Sequence, residues 1–448
     1  MPPGLGADSL ATVYQSHMAG PLLVLSNGHG EDLIALRLIE ALRHQGEQRS
    51  IRVLPLVGLG QAYAAAETAG WLERVGPRRT LPSGGFSNQS LGGLLQDLRA
   101  GLPLLSWHQA RLVWHWGRRG HPILAVGDLL PLLLAWAGGG PYGFVGTPKS
   151  DATWASPPPA GWGASPLADA YHRCKGSEWD PWEWALMRSR RCRLVAMRDP
   201  LTARGLRRHH VAALAPGNPM LDGFHHQPPP AAIAQGERLL LLPGSRLPEC
   251  LGNLERLLAA LPCSAPNATA GTCLTALLCL GSQPEDAALI PLLQRAGFRE
   301  LPLTEPVESA VVPGLVGRWQ RPGLTLLVGR QCFEHWAPWA SVGLATAGTA
   351  TEQLVGLGIP ALSLPGPGPQ FKAGFARRQS RLLGGAVEPC RDATALRQRL
   401  LHLLADPGER HRLGRIGQRR MGPPGGSDRL AALIRQQLLH TEPQPAAV

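Results

Sequence analysis

The chain has 448 residues, 44% of them hydrophobic and 17% charged, with 54 Gly and 43 Pro. This is the balance of a loop-rich globular enzyme of about two to three domains, and it excludes a peptide, a disulfide mini-scaffold, a lone binding module and a disordered or coiled-coil chain. The net charge of +12 is carried almost wholly by arginine, since Lys149, Lys175 and Lys372 are the only lysines; that fits nucleic acid, an anionic membrane surface, an anionic small substrate, or simply a genome rich in arginine codons.

From Pro21 an apolar run, Leu22 to Leu25, meets a small-residue loop, Ser26-Asn27-Gly28-His29-Gly30, and then a periodic stretch from Glu31 to Leu42. The pattern predicts strand, tight turn and helix. It recurs with Ile51 to Val57, Ile123 to Val126 before Gly127-Asp128, Gly143 to Val145, and Arg193 to Met197 before a short helix reaching Arg208. Gly217-Asn218-Pro219 and the proline run at 228–230 predict a hinge and a boundary near residue 225.

A second series begins with Arg238 to Leu242, the turn Pro243-Gly244-Ser245-Arg246 and a helix from Pro248 to Leu261. Strands follow near Thr275 to Leu280, Leu324 to Val328, Val342 to Thr346 and Ala361 to Leu364, and a capped helix runs from Asp428 to Leu439. Segments 151–166 and 262–272 are expected to be surface insertions that pack little. Regular alternation of strand and helix predicts an α/β protein made of two Rossmann-like, doubly wound domains facing across a cleft.

The eight cysteines contain no C-x-x-C and have no His partners at ligand spacing, so neither a zinc site nor a disulfide framework is signalled and a reducing cytoplasm is the simplest setting. Residues 1–20 lack a leader pattern, and the most apolar run, Leu129 to Ala137, is too short to span a bilayer. The expected location is cytoplasmic, with peripheral contact to the inner face of the membrane allowed.

Two turns carry phosphate chemistry. In Ala347-Gly348-Thr349-Ala350-Thr351-Glu352 a strand opens into a helix, so free N–H groups face any diphosphate and Glu352 can accept from ribose hydroxyls. The plainer explanation is that Thr349 and Glu352 form a capping box. Gly244, Ser245 and Arg246 would bring a guanidinium to the same sheet edge, against the alternative of an exposed loop arginine. In the first half Asp128 can take a proton from an acceptor hydroxyl or merely cap the next helix; Asp32 and His29 are further candidates for the base.

Eight arginines from Arg188 to Arg208 face one acid, Asp199, beside Trp179, Trp182 and Trp184. This suits a membrane interface, with Trp182, Trp184, Arg188, Arg190, Arg191 and Arg193 as the contact set, or a solvated basic face, or nucleic acid. Trp107, Trp114 and Trp116 belong to the same half.

Together the first loop ending in Asp32, Gly127-Asp128, Gly217-Asn218-Pro219, the L-P-G-S-R turn ending in Arg246, and Gly348-Thr349-Ala350 with Glu352 resemble the lipid A disaccharide synthase family, more closely its synthase-related members. The likeness runs from Leu22 to about residue 400. It implies a GT-B fold and inverting, metal-independent transfer of an acylated amino sugar from a UDP donor to a lipid-linked or glycolipid acceptor, with no cofactor. Asp128 would then be a catalytic acid residue, Arg246 a diphosphate contact and Glu352 a ribose contact. Only Asp32 aligns with the family's first loop, A-G-E-x-S-G-D, and the segment reaching Gln370 looks like the P-x(n)-Q turn of other GT-B enzymes, which adds Gln370 to the UDP-sugar set.

The resulting division is an N-terminal tail at 1–20, an acceptor-side domain at 21–225, a linker at 226–236, a nucleotide-sugar domain at 237–426 and a C-terminal helix and tail at 427–448. The alternatives are a UDP-N-acetylglucosamine 2-epimerase-like enzyme, from whose pattern Leu129 and Leu130 after Asp128 depart, and a non-catalytic lipid- or partner-binding protein on the same fold. No nucleic-acid partner is expected; oligomeric state, acyl chains and acceptor stay open.

Overall fold

The computed structural model describes residues 20–77, 101–163, 165–247, 249–262, 274–303, 312–368 and 371–440. The chain divides into two compact units: unit 1 is 1–151, 175–222 and 424–448, and unit 2 is 152–174 and 223–423.

Unit 1 is a seven-stranded, all-parallel sheet. Its strands are β1 (Leu22–Ser26), β2 (Ile51–Pro55), β3 (Glu73–Arg74), β4 (Ile123–Gly127), β5 (Tyr142–Gly146), β6 (Cys192–Met197) and β7 (Ala213–Leu214), in the order β3-β2-β1-β4-β5-β6-β7. β1 and β4 are fully buried, as expected of strands covered by helices on both faces. The helices that matter for function are α1 (His29–His44), α2 (Leu102–Arg118), α3 (Leu129–Ala137) and α4 (Pro181–Met187). Strand order reverses between β1 and β4, so the loops after these two strands flank the topological switch point.

Unit 2 has eight strands: β8 (Arg238–Leu242), β9 (Leu274–Leu280), β10 (Arg299–Leu301), β11 (Leu315–Arg321), β12 (Leu324–Arg330), β13 (Val342–Ala345), β14 (Ala361–Ser363) and β15 (Val387–Pro389). They lie in the order β10-β11-β12-β9-β8-β13-β14-β15. From β12 to β15 all pairs are parallel, whereas β10-β11-β12 form an antiparallel margin that the strand-helix alternation did not predict. Gly323 sits at φ +74° between β11 and β12 and makes that hairpin turn. A leucine-rich core runs under the sheet from Leu239 and Leu241 to Leu400 and Leu403. Helices α5 (Glu249–Ala260), α6 (Thr349–Gly356) and α7 (Ala373–Leu382) border the C-terminal ends of β8, β13 and β14.

Four sequence expectations need correction. Residues 152–174 belong to unit 2 and, where described, are tied to it: buried Arg381 donates to Ser156 O (2.8 Å), Trp154 O (2.9 Å) and Asp169 Oδ1 (2.8 Å), and Trp162 Nε1 donates to Pro389 O (3.2 Å). The expected hinge, Gly217-Asn218-Pro219, is not where the chain passes between the units. It lies inside unit 1, where Asn218 is buried and caps the following turn through Met220 N, and Arg37 donates to Pro219 O and Met220 O. The passage between units falls at Asp222 and Gly223, and the supposed linker is held to unit 2 where Trp339 Nε1 donates to Gln227 O (2.9 Å) and Arg238 donates to Ile233 O and Ala234 O. The C-terminal helix α8 (Gly426–Ile434) packs in unit 1, where Asp222 accepts from Gly425 N and Ser427 N.

Among the described residues no helix is long and apolar enough to cross a membrane.

Arg381→Met should lower the urea unfolding free energy by about 2–3 kcal/mol, because it strands the half-buried Asp169 carboxylate and two carbonyls. Proteolytic cleavage inside 152–174 should accelerate in the same variant; an unchanged cleavage rate would mean that other contacts hold the segment.

Candidate functional site

In unit 2 the pairing of β13 with β8 aligns Ala345 with Leu242, the last residues before the two phosphate-suited turns. The ladder continues one step further, Thr346 N donating to Leu242 O at 2.9 Å. Gly244, at φ +92°, takes the left-handed conformation that its turn requires. Both turns therefore occupy one edge of one sheet, at the point where strand order reverses between β8 and β13.

The helix opened by the second turn, α6, has Gly348 as its N-cap and no side-chain cap, so the capping box expected of Thr349 and Glu352 does not form. Thr349 starts the helix and Glu352 lies in its first turn. N–H groups at such an end suit an anion. Gln379, buried on α7, fixes the loop from behind, its Nε2 donating to Ala347 O (3.2 Å) and Gly348 O (3.1 Å).

Arg246 is half-buried; burial pushes its guanidinium pKa down and the Glu249 carboxylate opposes this. Loss of water is the larger effect, so an approaching diphosphate would meet a poorly hydrated cation. The first turn is braced by buried Asn253, which donates to Pro243 O (3.1 Å), and Glu249 Oε1 accepts from Phe371 N (2.9 Å). Ser245 is exposed on the same turn, Ala350 lies in the first turn of α6, and Gln370 lies outside the described residues.

In unit 1 the loops after β1 and β4 meet through side chains. Asn27 Nδ2 donates to Asp128 Oδ1 (2.6 Å), which also accepts from Leu130 N (3.1 Å) as the N-cap of α3. Both bonds fall on Oδ1. Gly127, at φ +134°, is required here, since a Cβ would come within 2.0 Å of Asn27 Oδ1. The capping role of Asp128 is thus real, and it coexists with a partly exposed carboxylate at the switch point.

The other candidate bases part company. His29 is exposed at the first position of α1. Asp32 is only 2% exposed, accepting from Ser26 Oγ (2.6 Å), which is itself bonded to buried Tyr63 OH (2.8 Å). Burial pushes the Asp32 carboxyl up to about 6, with the Ser26 bond opposing. Asp32 is a component of the interior beneath the loop, where no substrate can touch it as the chain stands.

The membrane set is also corrected. Trp184 is buried, stacked on His209 at 3.6 Å between ring centroids, and Trp116 is buried with its Nε1 donating to Pro122 O. Trp182, Arg188 and Arg190 are exposed, whereas Arg191 and Arg193 are half-buried, Arg191 donating to Trp136 O (2.9 Å).

Sequence reasoning missed Asn27, Tyr63, Asn253 and Gln379. Asn253 has a local signal, a polar residue on the apolar stripe of a helix. Tyr63 and Gln379 have none, because their partners are distant in sequence.

The 12% identical Listeria monocytogenes protein described as a UDP-N-acetylglucosamine 2-epimerase superposes with a TM-score of 0.54, over 94% of this chain and 97% of its own. The fold is GT-B. The S. aureus protein MnaA, solved with UDP, gives a TM-score of 0.53 at 12% identity, covering 93% of this chain and 96% of that one. The glycotransferase of kitacinnamycin gives 0.50 at 17% identity, covering 94% and 100%. No protein-family profile matches the chain, and no curated protein sequence matches it. Likeness at these identities establishes the two Rossmann-like domains of the GT-B fold and leaves the chemistry to the residues.

Asp32→Asn tests the buried carboxyl. A raised folded-state pKa means that ionisation destabilises the fold above about pH 6, and that this cost fades as pH falls toward the unfolded value near 4. The variant should therefore gain melting temperature over the natural chain at about pH 8 and lose the gain at about pH 4; parallel melting profiles would show that Asp32 does not titrate as its burial requires.

Proposed function

We propose that the protein is a UDP-sugar-dependent glycosyltransferase that moves an amino sugar, with inversion, to a lipid-linked or glycolipid acceptor. The observation that carries this reading is the side-by-side placement of the two turns on β8 and β13, which sets the Arg246 turn beside the uncapped N-terminus of α6. Diphosphate charge would be met by the Arg246 guanidinium and by the N–H groups of Gly348, Thr349 and Ala350, with Glu352 in reach of a nucleoside ribose. The solved GT-B protein that holds UDP supports the choice of nucleotide.

Asp128 is the base in this reading. As the acceptor oxygen bonds to the anomeric carbon and UDP departs with the electrons of the broken bond, the hydroxyl proton passes to the carboxylate, with Oδ1 held by Asn27 and Leu130. Charge at the leaving diphosphate is stabilised by Arg246, and no metal is required. His29, exposed at the head of α1, is the second candidate, and Asp32 supports the loop from within.

A second reading has a specific observation behind it: two of the neighbours above are a protein described as a UDP-N-acetylglucosamine 2-epimerase and MnaA with UDP. An epimerase would convert UDP-N-acetylglucosamine to its C2 epimer without any acceptor. A transferase would release UDP only when a glycolipid acceptor is supplied.

Titration calorimetry with UDP should show tight binding weakened by Arg246→Ala by about 1.5–3 kcal/mol, the worth of a charge-assisted contact; undiminished affinity would remove the turn from the site. Asp128→Asn keeps the helix cap, so UDP affinity should hold while acceptor-dependent turnover falls about 10²- to 10⁴-fold. Turnover near the natural level would move the base to His29.

A further inference from the structure

Helix α2 carries a stripe at heptad spacing, Leu104, Trp107, Arg111, Trp114 and Arg118, on the side away from its buried Leu105, Val113 and Trp116. Leu104, Trp107 and Trp114 are 56%, 54% and 44% exposed. Helix α3 packs alongside and adds Leu130, Leu133 and Trp136 at 42%, 42% and 39%. Beyond α3, helix α4 contributes exposed Trp182. Single exposed leucines are ordinary, but a run of large apolar side chains over adjacent helices is the mark of a surface that meets something.

Charge says what it meets. Neither α2 nor α3 contains an acidic residue. Guanidinium groups sit on the tryptophans themselves: Arg111 is 5.4 Å from the Trp107 ring centroid, Arg118 4.9 Å from Trp114, and Arg191 5.9 Å from Trp136. Exposed Arg188 and Arg190 lie just before Arg191 in the chain. A second copy of this face would set arginine against arginine, whereas anionic headgroups neutralise the arginines while the indoles enter the interfacial layer, which is where Trp and Arg are enriched at bilayers.

We propose that the outward face of α2 and α3 docks the protein on an anionic phospholipid surface. The proposal deepens the transferase reading and rests on it for its purpose, delivery of a lipid-linked acceptor to unit 1, though its geometry stands alone. It moves the contact away from Trp184, which is interior, to Trp107, Trp114 and Trp136.

The test is vesicle flotation with the full chain, using phosphatidylglycerol in phosphatidylcholine against phosphatidylcholine alone, at low and high salt. The natural protein should float with the anionic vesicles and do so less at high salt. The pairs Trp107→Gln with Trp114→Gln, and Arg111→Gln with Arg118→Gln, should each lower the bound-to-free ratio about tenfold or more, with melting temperature retained because all four side chains lie on the outward stripe. Arg415→Gln with Arg419→Gln, exposed in unit 2, should leave it unchanged. No flotation of the natural protein, variants that float as it does, or equal loss in the unit 2 control each overturn the proposal, as does a dimer in sedimentation that the tryptophan pair dissolves. UDP calorimetry on the same samples keeps the readings apart: vesicle binding lost only in the α2 variants supports the surface even where UDP fails to bind, and in that case only the donor assignment falls.

Discussion

Parallel backbone pairing at the two switch points is the constraint on which the candidate chemistry depends. A parallel sheet places every strand's C-terminal end on one edge, and at a switch point the two flanking loops diverge to opposite faces, leaving room between them. In unit 2 the β8-β13 register sets Leu242 beside Ala345, so the Arg246 turn and the head of α6 become neighbours although about a hundred residues separate them. In unit 1 the same arrangement of β1 and β4 lets Asn27 reach Asp128. The ladder brings both pairs together; Gly127 leaves room for Asn27, and Gly244 supplies the left-handed φ of its turn.

Polar groups beneath these loops hold them in place. Gln379 ties the carbonyls of Ala347 and Gly348, Asn253 ties Pro243, and the Ser26, Asp32 and Tyr63 cluster underpins the loop after β1. Each is buried, so an unmet bond there would cost more than the bond itself contributes. Helix α6, like α1, α2, α7 and α8, starts without a side-chain cap, and its first N–H groups lie on the turn beside Arg246, where an anion could accept from them.

Arginine serves two distinct roles in this chain. Some guanidinium groups, Arg381 and Arg37 among them, satisfy backbone carbonyls where chain segments cross, which a planar fork with five donors does better than lysine. Others remain outward on tryptophan rings, as on α2. A basic composition therefore does not translate directly into a basic binding surface, and the high net charge overstates what is available to a partner.

The sequence by itself determined the central parallel strands of both sheets, though not the edge strands or the antiparallel margin of unit 2. Leu239 to Leu242 and Ile123 to Val126 are apolar throughout because both faces of a parallel strand are covered, and the glycine and proline turns that follow mark their ends. It also determined which turns could suit phosphate, since Gly244, Arg246 and Gly348 are read locally. Only the tertiary structure decided that Asp32 is interior while Asp128 is partly open, that Trp184 is core while Trp107 and Trp114 face outward, and that residues 152–174 leave the first unit for the second. Those outcomes depend on partners such as Tyr63, His209 and Arg381, each far along the chain from the residue it meets. Local periodicity reports whether a residue can be buried; which neighbour buries it is settled by packing and hydrogen bonding between segments that come together only in the folded chain.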